Sequence, residues 1–183
     1  VIQEAYEMLQ KAAARTDGLS GLESGFHALD KMTSGWQNSD LVIIAARPAM
    51  GKTAFLLSMA KNMAVNAKIP VALFSLEMSN VQLVNRMIVN VCEIPGEKIK
   101  SGQLAPYEWG QLDYKIKELY DAPMYVDDTP SLSVFELRTK ARRLVREHGV
   151  KIIIIDYLQL MNASGMSFGS RQEEVSTISR SLK

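Results

Sequence analysis

The run Ala46-Arg47-Pro48-Ala49-Met50-Gly51-Lys52-Thr53 ends in Gly-Lys-Thr, three residue types that in this order can hold a phosphate chain. Glycine lets the backbone approach an anion, the lysine ammonium supplies a point charge to the β- and γ-phosphates, and the threonine hydroxyl can join the shell of Mg²⁺. Backbone N–H groups of Ala49, Met50, Gly51, Lys52, Thr53 and Ala54 would complete the cradle at the positive end of the helix that follows. The triplet alone is a weak signal; a strand before it and a helix after it make it a strong one. Two carboxylates can work with it. Asp156 ends the β-branched run Ile152-Ile153-Ile154-Ile155 and can hold Mg²⁺ opposite Thr53, often through water, although on its own it would read as a turn aspartate. Glu77 closes Leu73-Phe74-Ser75-Leu76 and either orients and polarises an attacking water or helps cap the next helix.

These groups can meet only if several strand ends lie side by side. From Gly25 onward, short apolar runs alternate with helical patterns: Leu41–Ala45, Val71–Ser75, Met124–Val126 and Ile152–Ile155 are predicted strands, and Ala54–Val65 is a predicted helix. That alternation predicts an α/β fold with a mostly parallel sheet flanked by helices, and ligands then bind beyond the carboxyl ends of the strands. Three Ser-x-x-Glu/Gln capping boxes, Ser79 with Gln82, Ser133 with Glu136 and Ser170 with Glu173, mark further helix starts. At the front, Ile2, Ala5, Tyr6, Leu9 and Ala13 recur at spacings of three and four and predict an amphipathic helix. Gly18–Gly25, with its glycines and serines, reads as a flexible connector.

At 183 residues the chain fits one domain, and 47% hydrophobic with 22% charged residues suits an ordinary soluble core. Lys plus Arg total 21 against 20 Asp plus Glu, so any site for a polyanion must be local. The single cysteine, Cys92, lies in an apolar stretch and excludes an intrachain disulfide; with no signal-peptide layout and no run near the ~18 apolar residues of a membrane span, a cytoplasmic protein without membrane partners is expected.

The phosphate-loop run, together with Phe74-Ser75-Leu76-Glu77-Met78-Ser79 and Ile154-Ile155-Asp156-Tyr157-Leu158-Gln159-Leu160, resembles the RecA-like motor domain of the bacterial replicative DNA helicases of the DnaB family. Ala46, where a general phosphate loop has glycine, is itself a family feature, and the likeness continues through Gly25–Asp30, Asp127–Pro130 and Ser179–Lys183. The resemblance implies a P-loop ATPase that uses ATP and Mg²⁺ and works as a homohexamer around single-stranded DNA, with a helicase loader and primase as partners. It assigns Lys52 and Thr53 to phosphate and Mg²⁺, Asp156 to the Walker B acid and Glu77 to the catalytic base. Residues 1–17 would be a linker helix that packs on a neighbouring subunit, and 18–183 the ATPase core. The family's sensor glutamine, main DNA loops and arginine finger would lie beyond Lys183, so the chain alone is expected to bind nucleotide and hydrolyse it poorly. Other RecA-like ATPases of recombination and repair share these motifs, and a nucleotide-controlled assembly module is the alternative from another class.

Several residues read in two ways. Arg138, Lys140, Arg142, Arg143 and Arg146 form a local positive cluster that can face DNA or a neighbouring subunit, or simply solvent. The loop 162–171 follows the Asp156 strand, where a DNA-facing loop would stand with Arg171 its one clear phosphate contact, and reads equally as a disordered connector. Trp36 and Trp109 are expected to pack, Asp127 and Asp128 to end a strand in a turn, and His27 and His148 lack partners at metal-ligand spacing.

Overall fold

The apolar spacing at the front of the chain produces α1 (Ile2–Ala14), no residue of which is buried. In the computed structural model, which describes residues 2–163 and 168–183, the chain divides into two compact units, Val1–Ile43 and Ile44–Lys183. The predicted loop over 162–171 therefore falls partly outside the described residues.

The first unit corrects the expectation of a flexible connector. Leu22 and Trp36 form an antiparallel bridge, and α2 (His27–Thr33) turns Asp30 inward. The Asp30 carboxylate accepts hydrogen bonds from Ser24 N (2.8 Å), Ser24 Oγ (2.7 Å) and Gly25 N (3.2 Å), leaving Ser24 fully buried. A Cβ at Gly21 would collide with the Trp36 carbonyl. Glycine and serine serve here as small residues that permit close approach, not as hinges.

The predicted strand Leu41–Ala45 is also corrected: residues 41–47 form neither strand nor helix, and Leu41, Val42 and Ile43 are exposed. An apolar run becomes a strand only by pairing, and the three strands of the second unit pair with one another.

In that second unit, α3 (Lys52–Lys61) runs into a π-helical turn, Asn62–Asn66, before β1 (Val71–Ser75). Ser79 and Gln82 form the full capping box that opens α4 (Asn80–Cys92). Then come α5 (Gly96–Ser101), α6 (Pro106–Tyr120) and β2 (Met124–Asp127). Ser133 and Glu136 box the start of α7 (Val134–His148), which Gly149 ends at a φ of +64°. β3 (Ile152–Asp156) follows, then a 3-10 turn at Leu158–Leu160 and α8 (Arg171–Leu182). At α8 the box is shifted: Ser170 Oγ accepts from Glu173 N, but Glu173 reaches back to Gly169 N.

The sheet is parallel in the order β2-β1-β3, as the alternation of elements predicts. Every residue of β1 is buried, which requires that both faces of this central strand be covered. Ala72, Phe74 and Leu76 face one side and pack in a core with Leu132, Leu137 and Ile178, and the period of two sends Val71 and Leu73 to the other. The register pairs Phe74 with Asp127 and Ser75 with Asp156, so one end of the sheet gathers its carboxylates.

Candidate functional site

The site grows from the junction of loop and helix. Residues 47–50 close a turn, with Met50 N donating to Arg47 O at 3.2 Å, and Ala49 and Gly51 both take left-handed backbone, at φ +65° and +85°. Gly51 stands at the N-cap of α3 and offers no side chain to the helix's first N–H groups. Uncapped amides and the positive end of the helix dipole therefore face outward at Lys52, Thr53 and Ala54. A Cβ built on Gly51 meets nothing within 4 Å, so the space beside the loop is open.

Lys52 and Thr53, the first residues of α3, both reach Asp156 at the end of β3. Thr53 Oγ1 donates to Asp156 Oδ2 at 2.8 Å, and Lys52 Nζ lies 3.0 Å from Oδ1. Asp156 is buried at 2% exposure, while the Lys52 side chain is 25% exposed. The Lys52 contact is an attraction of charges only, because Oδ1 has no hydrogen bond of acceptable geometry. Oδ1 therefore has a cationic neighbour but no hydrogen bond, and can be shared with a second cation. The donor set of outward amides, ammonium, hydroxyl and this carboxylate fits Mg²⁺ with a polyphosphate.

Glu77 lies just past β1, exposed, on the same end of the sheet as Asp156. It takes no part in capping α4, since Ser79 and Gln82 do that and Asn80 N donates to Asp128 Oδ2 at 2.9 Å. The structure thus brings Lys52, Thr53 and Asp156 into contact, sets Ala49, Met50, Gly51 and Ala54 around them in the loop and first turn, and leaves Glu77 at the rim.

The other candidates separate from this group. Arg171 ion-pairs with Glu174 and donates to the carbonyls of Gln159 and Met161, the latter at 2.9 Å, so its guanidinium ties the 3-10 turn to α8. Its expected availability to phosphate is corrected: three acceptors already face it. Asp127 is a turn residue, as expected, accepting from Thr129 N at 3.0 Å and pairing with Lys140 at 2.6 Å. Burial pushes its carboxyl up, but the bonds from Lys140 and Thr129 outweigh that and hold it below the usual range. Arg138, Arg142, Arg143 and Arg146 are exposed, with Arg143 paired to Glu147. Trp109 is 47% exposed instead of packed, because α6 turns Glu108 and the half-buried Leu112 and Ile116 inward. His148 stacks on Tyr125, with centroids 4.3 Å apart. Among the described residues, no group of three or more His, Cys, Asp or Glu could hold a metal ion, and no helix is long and apolar enough to cross a membrane.

One neighbour of the site was not singled out by the sequence reading. The Tyr157 ring lies under the Lys52 ammonium, 4.0 Å from Nζ to the centroid. The only sequence signal is an aromatic residue directly after the strand-ending acid.

A parallel sheet with a phosphate loop meeting a strand-end aspartate defines a P-loop nucleotide-binding domain of the RecA-like class. The family model for the DnaB-like helicase C terminal domain matches residues 21–183, and the chain belongs to that family. It is 47% identical over 183 residues to the replicative DNA helicase DnaB of Geobacillus stearothermophilus, and 44% identical over 183 residues to the replicative DNA helicase DnaC of Bacillus subtilis. Both comparisons cover 100% of the chain and 40% of the relative, so the chain spans well under half the length of these helicases. Among solved structures, a chain from a DnaB-like replicative helicase studied with its interactions with primase superposes at TM-score 0.89 with 37% identity, covering 100% of this chain and 44% of that one. A second solved structure, of an ATPase domain, superposes at TM-score 0.89 with 38% identity, over 100% of this chain and 65% of that one.

Proposed function

We propose that this chain is the motor domain of a replicative DNA helicase, coupling Mg²⁺-dependent ATP hydrolysis to translocation on single-stranded DNA within a homohexameric ring. The observation that carries the reading is the convergence of Lys52 and Thr53 on the buried Asp156, in a chain of the DnaB-like family. Primase and a helicase loader are the partners that follow from it; primase is named with one solved structural neighbour.

Bound Mg-ATP supplies the phosphoanhydride whose terminal phosphoryl group is transferred to water. The chain's own groups do the rest. The loop amides and Lys52 bind the phosphates and offset negative charge that grows towards the transition state. Asp156 and Thr53 would hold the cation. Glu77, open to solvent, orients a water and accepts its proton at a carboxylate oxygen. A RecA-like recombination or repair ATPase would share all of this, and strand unwinding distinguishes the two.

The test is steady-state ATP hydrolysis by the intact protein, with and without single-stranded DNA, beside Lys52→Ala and Glu77→Gln. DNA-stimulated turnover that both substitutions abolish is expected, with Glu77→Gln still binding nucleotide within about two-fold of the unsubstituted protein. ATP binding with negligible turnover on or off DNA would refute the motor and favour an assembly module.

A further inference from the structure

Both oxygens of Asp156 are engaged from α3, Oδ2 by the Thr53 hydroxyl and Oδ1 by the Lys52 ammonium. One carboxylate cannot serve a metal ion fully while it neutralises a lysine. If Asp156 were the only protein group holding Lys52, recruiting the carboxylate to a cation would leave the ammonium to be held by the arriving phosphates alone, while two positive charges compete for one acid. The ammonium has a second partner. Tyr157, partly buried and extended at the N-cap of the 3-10 turn, presents its ring 4.0 Å from Nζ. A ring face attracts a cation without carrying a formal charge, so it can hold the lysine without consuming the acid.

We propose that Tyr157 is a positioning residue for Lys52: its ring keeps the ammonium at the phosphate loop when Asp156 turns to Mg²⁺. The proposal rests on the nucleotide-binding reading of the loop. It assigns to the residue after the strand-end acid the task of uncoupling the lysine from that acid. The attraction lies between the ring face and the charge, so the phenol hydroxyl is dispensable and the electron density of the ring is not.

The test is equilibrium binding of fluorescent N-methylanthraniloyl-ADP to the intact protein, in excess Mg²⁺ and again in EDTA. Tyr157→Phe should bind within about two-fold of the unsubstituted protein, whereas Tyr157→Leu should weaken binding about five-fold in Mg²⁺. In EDTA Asp156 still holds Lys52, so the Leu penalty should shrink towards unity. Replacing Tyr157 by mono-, di- and trifluorinated phenylalanine changes ring charge with little change of shape, and affinity in Mg²⁺ should fall stepwise, which keeps the test decisive even if the Leu variant folds poorly. A flat fluorine series, a Phe variant as weak as Leu, or equal losses with and without Mg²⁺ would overturn the assignment. If the unsubstituted protein fails to bind the probe, the nucleotide reading falls and this one with it; binding combined with a flat series removes Tyr157 alone.

Discussion

Lys52 and Asp156 form a pair whose worth can be measured without any nucleotide. With Nζ 3.0 Å from Oδ1, their attraction is about 5 kcal/mol at an effective dielectric near 20. Desolvation of the carboxylate, whose side chain is 3% exposed, offsets part of that. Removing a partner from a buried pair ordinarily costs about 3–5 kcal/mol, because the other charge is left uncompensated. Thr53 continues to donate to Asp156, and a quarter of the Lys52 side chain is in solvent, which brings the expected cost of Lys52→Met to about 2–3 kcal/mol. Asp156→Asn should cost less, since Lys52 can swing outward to water. The double substitution should cost clearly less than the two single ones added, with a coupling energy near 2 kcal/mol. Urea unfolding of the four proteins, followed by circular dichroism at pH 7 in nucleotide-free buffer, gives the cycle directly. A coupling below about 0.5 kcal/mol would refute the argument that this carboxylate is held as a buried anion by Lys52.

Two further outcomes concern Gly51 and the Lys98–Glu108 pair. Gly51→Ala meets no steric contact, yet at φ +85° it should lose about 1–2 kcal/mol from backbone strain alone; an unchanged urea midpoint would contradict the left-handed assignment. Glu108 accepts from Lys98 at 2.6 Å and from Ala105 N at 2.8 Å, which lowers its carboxyl below the usual range, the Lys98 bond contributing most. A depressed carboxylate stabilises the fold above about pH 4.3 and loses that contribution as pH falls through its lowered value. The stability gap between the unsubstituted protein and Glu108→Gln should therefore be full at pH 7 and shrink at pH 3, and a gap independent of pH would show that the ion pair is not its source.

Much of the arrangement is legible in the sequence because its signals are local. The short apolar run at β1 and the β-branched run at β3 read as strands, although only β1 is buried throughout and β3 lies at the sheet edge with Ile153 exposed; Ser133 and Gly149 mark both ends of α7, and Gly51-Lys52-Thr53 has a chemistry that depends on type and order. What escapes depends on distant partners. Leu41–Ala45 has the composition of a strand but no neighbour in the β2-β1-β3 ladder. Arg171 looks like a free cation until the carbonyls of Gln159 and Met161 are seen to face it. The helix α6 carries two local signals, Pro106 at its first position and Glu108 two residues on, but its exposed Trp109 follows only from which face it turns inward. Tyr157 is invisible for the same reason: the Lys52 under which it lies is far away in sequence.

The register of the sheet also has a kinetic side. The central strand pairs Val71 with Met124 on one edge and with Ile152 on the other, so neither ladder can zip until a long crossover has closed. Contacts of such sequence separation form late, whereas α4, α5 and α6 need only near neighbours and can assemble first. The rung that pairs Ser75 with Asp156 belongs to the longer of the two crossovers. An incompletely folded chain can thus carry the Gly-Lys-Thr sequence and still lack the carboxylate opposite it, so the contact of Lys52 and Thr53 with Asp156 forms only with the finished topology.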